Sequence, residues 1–336
     1  FWSQMPDWNL RKPEVLAWHQ DNLRFWLNRG VDGFRFDAVG NLVENGPSAW
    51  ENQPENDAVV AALRQVVQGY DNRYMVCESP AASKRFGRPD TCGGAFAFGL
   101  QSEIMGAATG DATSIADLAG WLVDAPEGMA TFLSNHDFFA GRRPFDQFEG
   151  DMTELRLAAA TNLLISRTPF LYYGEEIGMG GASSLSGDHQ LRTPMSWTAA
   201  GGFSTGTPFR AAASNRASHN VAAQLPDPGS LLNFHKSMIA LRKSRPSLMT
   251  GAYQSPVTAG RALGFTRAIA GGERTLVAFN YGRATTPATL TFTGLPAGAT
   301  LQPLWPQGAA AVSADANGQL TLSLAPQTFT VLAVPQ

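Results

Sequence analysis

The 336-residue chain holds only two cysteines, Cys77 and Cys92. That excludes a scaffold built on disulfides, and with no second cysteine pair and no histidine nearby it excludes a cysteine metal centre. Two buried free thiols are the expected state, with a single bridge as the alternative. Charge is also scarce. Charged residues make up 16% of the chain and the formal net charge is -3, which leaves no polybasic face for nucleic acid or an anionic membrane. No apolar run approaches the length of a membrane span. The opening, FWSQMPDWNL, lacks both an initiator methionine and a charged leader region, as expected of a processed or truncated chain. What is plentiful is apolar, 44% of residues, enough to pack one large domain and a smaller one.

Pro13 opens a helical pattern over 13–29, with Val15, Leu16, Trp18, Leu23, Trp26 and Leu27 near helical spacing and Arg29-Gly30 as its stop. In GVDGFRFDAV, which follows, residues 31–36 read as a buried strand. A second helix is expected over about 56–68. YMVCE then reads as a strand, GGAFAFGL as a weaker one, SIADLAGWLVD as a helix and MATFLS as a strand. DMTELRLAAATNLLISR is a strong helix opened by Asp151, TPFLYYG a buried strand, and SLLNFHKSMIALRKSR a further helix after a Gly/Ser/Pro-rich loop. Strand and helix alternate, the pattern of a parallel sheet covered by helices. Near residue 250 the pattern changes to short alternating runs (TLVAFNY, ATLTFTG, QTFTVLAV) with turn residues between them, as in a small antiparallel sandwich. The expected domains are an α/β portion over 1–249 and a β-sandwich over 250–336.

The acids sit at strand ends. Asp37 closes one strand, Glu78 the next, and His136-Asp137 follow TFLSN in a later one; YYGEE closes a fourth. In a parallel α/β barrel all such ends open on one face, so these acids are expected to converge there. Carboxylates gathered on one face repel, and a pair of them suits glycoside hydrolysis: one ionised to attack the anomeric carbon, one protonated to serve the leaving oxygen. The second needs a raised pKa, which burial and a neighbouring carboxylate supply. Arg35, two residues before Asp37 and on the same side of a strand, is placed to keep the attacking carboxylate charged. Glu175 and Glu176 read as structural, capping the following loop. Trp8, Phe138, Phe139, Trp197 and Phe203 fall in loops where aromatic rings could pack on the C–H face of a sugar, whereas Tyr172 and Tyr173 read as barrel core.

The order GVDGFRFDAV, VCESP, FLSNHD resembles the catalytic motifs of the α-amylase family of retaining glycosidases, glycoside hydrolase family 13. MPDWNLRKPEV, TPFLYYGEEIGM and LRTPMSW resemble further segments of that family. NVAAQLPDPGSLLNFHKSMIALRKSRPSL is similar to the final barrel helix of its α-glucosidase-like and trehalose-synthase-like branches. The resemblance implies an α/β fold, a (β/α)8 TIM barrel with strands four to eight in this chain, followed by the β-sandwich. It implies Asp37 as nucleophile, Glu78 as general acid/base and Asp137 as the third acid that binds sugar hydroxyls and helps distort the ring. His136 is implied to bind the same sugar and Arg35 to orient the nucleophile; of the loop aromatics, Phe138 and Trp197 are expected to be further substrate contacts. The implied substrate is an α-glucan or maltooligosaccharide, and the chemistry needs no cofactor.

The resemblance also has departures. Barrel strands one to three and an early motif ending in Asn-His have no counterpart here, and five strands cannot close an eight-stranded barrel. The chain is therefore expected to be the C-terminal part of a longer protein, completed by a complementary N-terminal chain or segment. A structural calcium would take its ligands from that missing part; Asp71, Asp188 and the acids near 149–151 are not spaced as a calcium loop, and no metal is assigned. Gly40-Asn41 stand where many members carry a Lys-His pair, which bears on the leaving-group side and on acceptor choice. The small Ala38 goes, in the α-glucosidase branch, with α-1,4 rather than α-1,6 linkages. Hydrolysis of α-1,4-glucosidic bonds by double displacement is the leading expectation. Transfer to a sugar, as in a transglucosidase or a trehalose-synthase-like isomerase, uses the same residues. A non-catalytic sugar-binding homologue would have lost one of the three acids, and all three are present. Starch as substrate implies export, to the periplasm or outside the cell; maltooligosaccharides leave the cytoplasm open too.

Overall fold

A computed structural model describes residues 4–335; the first three residues of the FWSQMPDWNL stretch and Gln336 lie outside them. The chain divides into two compact units, one of Phe1–Gly99 with Ala125–Thr131, the other of Leu100–Asp124 with Phe132–Gln336.

In the first unit α1 (Pro13–Leu27) leads to β1 (Gly33–Phe36), α2 (Glu55–Gln68), β2 (Tyr74–Cys77), the short α3 (Ser83–Phe86), β3 (Ala95–Phe96) and β4 (Met129–Thr131). The strands lie side by side in chain order and parallel. Pro13 supplies the fixed φ of a first helical turn. Helix α2 buries Val59, Val60, Leu63, Val66 and Val67, recurring at three- and four-residue steps. Gly33 is required by close approach: a Cβ there would collide with the Tyr74 carbonyl oxygen on β2.

Two expectations change. Residues 31–36 are not a buried strand. Phe34 and Phe36 are half-buried and Arg35 is exposed, because β1 is the edge of its sheet and has a neighbour on one side only. Cys77 and Cys92 are joined in a disulfide rather than left as free thiols. Sheet pairing causes this: β2 and β3 meet at Cys77–Ala95, which brings the loop holding Cys92 back to the end of β2.

The second unit begins with α4 (Leu100–Ala108) and α5 (Ala112–Asp124), followed by α6 (Pro144–Gln147), α7 (Met152–Ile165), β5 (Thr168–Pro169), α8 (Val221–Gln224), α9 (Leu231–Lys243) and α10 (Pro246–Thr250). Helix α7 is buried along nearly its whole length and is capped by Asp151, whose side chain accepts from the Thr153 and Glu154 amides. Its C-terminal carbonyls are met by two buried arginines: Arg242 Nη1 donates to Leu163 O at 2.9 Å and Arg267 Nη1 to Leu164 O at 3.3 Å, cations where a helix end favours them. TPFLYYG is half-buried rather than buried, and only two of its residues are strand.

From Ala252 onward only strands follow: β6 (Ala252–Ala259), β7 (Ala262–Ala268), β8 (Arg274–Asn280), β9 (Ala288–Phe292), β10 (Thr300–Trp305), β11 (Val312–Ser313), β12 (Leu320–Leu324) and β13 (Thr328–Val334). They form a six-stranded sheet, ordered β11-β10-β13-β8-β7-β6, and a two-stranded β12-β9 pair. Strands β9 and β12 turn Leu290, Phe292, Leu320, Leu322 and Leu324 inward onto Leu276, Ala278 and Leu332 of the larger sheet, with polar residues alternating outward on β12.

Candidate active site

The end of β1 turns sharply. Asp37 is followed by Ala38 at φ +44°, in the left-handed region, and then by a single 3-10 turn, Val39–Asn41. That turn points the Ala38 amide at Glu78, whose Oε2 accepts it at 3.1 Å. The backbone is laced in the same way: Glu78 N donates to Phe36 O at 2.8 Å and Val39 N to Glu78 O at 3.1 Å. Arg35 pairs with Asp37 and, through Nη2, with Glu78 Oε2 at 2.9 Å. The structure therefore gathers Arg35, Asp37 and Glu78 as the sequence predicts.

The two carboxyls differ in environment. The Asp37 side chain is 69% exposed and that of Glu78 8%. Burial pushes the Glu78 pKa above its ordinary value, and the Asp37 carboxylate adds to this; the Ala38 amide and Arg35 pull the other way. One carboxyl open to solvent and one buried and inclined to hold its proton is a division of labour for acid–base chemistry. Asp37 lines a 400 Å³ cavity together with Trp8, His19, Phe36 and Asn41. A Cβ at Gly40 would stand 2.6 Å from Asn52 Oδ1, the far end of a side chain that would have to shift, and the Gly40 carbonyl accepts from the Asn56 side-chain amide at 2.6 Å.

The second unit holds a second cluster. Asp137 Oδ1 accepts from Arg192 Nη2 at 2.8 Å, and Asp137 Oδ2 lies 3.2 Å from His136 Nε2. Arg192 Nε also donates to the His136 carbonyl at 2.8 Å, and Arg192 Nη2 to Asp188 Oδ2 at 2.9 Å. Asp188 Oδ1 in turn accepts from the Phe138 amide at 2.8 Å. Arg192 joins a 640 Å³ cavity lined by Tyr173, Glu176, Trp197, Phe203 and Phe209. Phe138 and Phe139 are exposed beside this cluster.

Sequence reasoning missed Arg192, although LRTPMSW had been singled out; an arginine inside a segment of marked resemblance was the available signal. Asp188 braces Arg192 and the Phe138 amide. Tyr173 is not core: it is partly exposed, lines the cavity, and its hydroxyl donates to Thr193 O at 2.5 Å. Among the described residues no group of three or more His, Cys, Asp or Glu is arranged to hold a metal ion.

A model of the α-amylase catalytic domain matches residues 1–251. A trehalose synthase/amylase of Mycolicibacterium smegmatis is 32% identical over 303 residues, covering 76% of this chain and 51% of its own length. An oligo-1,6-glucosidase of Parageobacillus thermoglucosidasius is 26% identical over 327 residues, 75% of this chain and 57% of that protein. Among solved structures, an α-glucosyl transfer enzyme is similar with a TM-score of 0.76 and 26% identity, covering 100% of this chain and 70% of that one. The chain spans about half the length of the curated relatives it matches.

Proposed function

This chain belongs to the α-amylase family of glycoside hydrolases, and we propose that it cleaves the α-1,4-glucosidic bonds of maltooligosaccharides or starch by retaining double displacement. Its fold is the later part of that family's (β/α)8 barrel, β1 to β5 corresponding to strands four to eight, with an antiparallel β-sandwich after it. In the proposed reaction Asp37 attacks the anomeric carbon while Glu78 gives its proton to the departing glycosidic oxygen. A covalent glucosyl ester on Asp37 results. Glu78, now a base, takes a proton from an incoming hydroxyl, which attacks and releases Asp37. Asp137 and His136 bind the hydroxyls of the reacting sugar, Arg35 orients Asp37, and Phe138 and Trp197 pack on sugar faces. No cofactor enters this scheme.

The observation that carries the reading is the unequal burial of Asp37 and Glu78 around one guanidinium. A second reading changes only the acceptor: a sugar instead of water, giving a transglucosidase or a trehalose-synthase-like isomerase. The trehalose synthases among the relatives favour it, as does the aromatic lining of the Arg192 cavity, which suits a sugar ring better than free water. We further propose that strands of a complementary segment or chain complete the barrel at β1, an edge strand whose phenylalanines are only half-buried.

The test is product analysis of the full-length protein on maltose and soluble starch, with the anomer followed early in the reaction. An initial α-configured product is expected; an initial β-product would overturn retention. Glucose as the main product of maltose supports hydrolysis, and trehalose or a longer oligosaccharide supports transfer.

A further inference from the structure

We propose that Glu175 is a positioning residue for the Asp137–Arg192 cluster: its buried carboxyl fixes, through Ser134, the turn on which His136 and Asp137 stand. The proposal rests on the reading of those two residues as sugar-binding groups.

Ser134 Oγ donates to Glu175 Oε1 at 2.6 Å, and the Tyr172 amide donates to Glu175 Oε2 at 3.2 Å. Glu175 is 4% exposed and Ser134 1%, so both bonds are shielded from water and a lost partner would not be replaced from solvent. Beyond Ser134 the turn is short: Asn135 Oδ1 accepts from the Asp137 amide at 2.8 Å, and His136 lies between. Fixing Ser134 therefore fixes where Asp137 points. The same segment anchors the other half of the ion pair. The fully buried Arg143 donates to Tyr173 O and, at 2.7 Å, to Leu191 O; the Tyr172 hydroxyl donates to Leu191 O at 3.2 Å and that of Tyr173 to Thr193 O at 2.5 Å. Arg192 is thus held on both sides. Residues 172–175 position both members of the Asp137–Arg192 pair; Glu175 turns its carboxyl inward, whereas the next residue, Glu176, accepts from Gly174 N and lines the cavity.

Burial raises the Glu175 pKa to about 7, against the opposing pull of Ser134, Arg143 and the Tyr172 amide and with a further push from Glu176. The protonated carboxyl offers one acceptor and one donor, and the Ser134 hydroxyl can rotate to meet either. Glutamine offers the same pair.

The experiment compares Glu175→Leu, Glu175→Gln, Ser134→Ala, the Ser134→Ala/Glu175→Leu double variant and Asp137→Asn in the full-length protein, with circular dichroism and melting as folding controls. Loosening a transition-state contact lowers kcat more than it raises KM. Glu175→Leu and Ser134→Ala should each lower kcat by about 10- to 100-fold, with KM moving less than about threefold, on the scale of a 1 Å misplacement. The double variant should lose no more than the worse single, because both remove one linkage. Glu175→Gln should retain at least roughly a third of kcat. Wild-type kcat in a folded Glu175→Leu, or losses that multiply in the double variant, would overturn the proposal. Should Glu175→Leu fail to fold, an unimpaired Ser134→Ala would overturn it alone. Wild-type turnover in Asp137→Asn would instead sink the reading of Asp137, leaving the Glu175 and Ser134 results to be read separately.

Discussion

The guanidinium of Arg35 lies 2.9 Å from Glu78 Oε2 while pairing with Asp37. One cation serves two carboxyls, one buried and one open. Because Arg35 lowers the Glu78 pKa and burial raises it, and burial is the larger effect, Glu78 keeps its proton to higher pH than a free glutamate. A general acid works while protonated, so kcat/KM should fall as pH rises through the raised Glu78 pKa. Removing the Arg35 charge removes a lowering influence. In Arg35→Met the alkaline limb of the pH profile should move to higher pH, on top of a general loss of rate. A limb that moves down would contradict the assignment of Glu78 as the acid.

Replacing Glu78 itself removes the proton donor and spares most of the surroundings. Glu78→Gln should cost roughly 10²- to 10⁴-fold in kcat on unactivated glucans. With an aryl α-glucoside whose leaving group departs without protonation, the loss in the first step should be far smaller. Equal losses on both substrates would show that Glu78 has another role.

Much of this site was legible in the sequence, for a definite reason. The strand ends at Asp37 and Glu78 are marked by short apolar runs that stop at an acid, and a parallel sheet puts such ends to use. Arg35, two residues before Asp37, was legible by the same periodicity. Features made by the chain's return from a distance were not. The Cys77–Cys92 bond follows from β2–β3 pairing, which no local pattern announces. Arg143, Arg242 and Arg267 look like surface arginines until their buried carbonyl partners are known. Helix α4, LQSEIMGAA, is not among the helices the sequence predicts; it begins at Leu100, the last residue of GGAFAFGL. Gly99 sits at φ +92°, where the chain leaves the extended path and a helix starts. Residues 31–36 read as buried from their apolar run alone, a run that does not show that β1 has a neighbour on one side only.

Ala38 concerns backbone rather than charge. A non-glycine residue at φ +44° carries strain of roughly 1 kcal/mol, and the structure uses it to aim the Ala38 amide at Glu78. Ala38→Gly should relieve that strain and stabilise the protein by up to about 1 kcal/mol, unless the freer unfolded chain offsets it. Ala38→Val adds β-branching at a left-handed position and should destabilise by more than about 1 kcal/mol. It should also lower kcat, as the amide swings away from Glu78. Urea unfolding gives the first quantity and steady-state kinetics the second. A valine variant as stable and active as wild type would show that the turn is not constrained.

Glu175 should make stability depend on pH in a definite direction. Its folded pKa, about 7, lies above the ordinary value of 4.5. Between these values the folded state binds more protons than the unfolded one, so stability is fullest below about 4.5 and declines as pH rises to about 7, then levels off for this group. A shift of this size corresponds to about 3 kcal/mol over the window. The charged groups facing it, Arg143 and Glu176, stay as they are in Glu175→Gln. That variant should therefore lack this decline, and the difference in unfolding free energy between it and wild type should change across pH 4.5–7 and be flat above. A constant difference throughout would mean that Glu175 is ionised even when buried.

The Cys77–Cys92 bridge gives a prediction on both stability and the site. Its residues are 15 apart in sequence, and closing a loop of that length removes unfolded-state entropy equivalent to about 3 kcal/mol. Both sulfurs belong to fully buried residues, 0% and 1% exposed, so a reductant should act only through unfolding or local opening. In the folded protein, thiol titration should find no free cysteine; after denaturation and reduction it should find two. Cys77 is also the residue before Glu78, and its amide donates to Gly94 O at 2.8 Å, so the bridge and this bond together anchor the end of β2. Cys77→Ser/Cys92→Ser should lower the unfolding free energy by about 3 kcal/mol. It should also lower kcat, with a displaced alkaline limb, since Glu78 then meets Ala38 N and Arg35 less closely. Unchanged stability would show that the bridge does not form in solution. Lost stability with an unchanged pH profile would confine it to holding the fold, and leave the lacing of Glu78 to the Phe36 and Val39 backbone to place the acid.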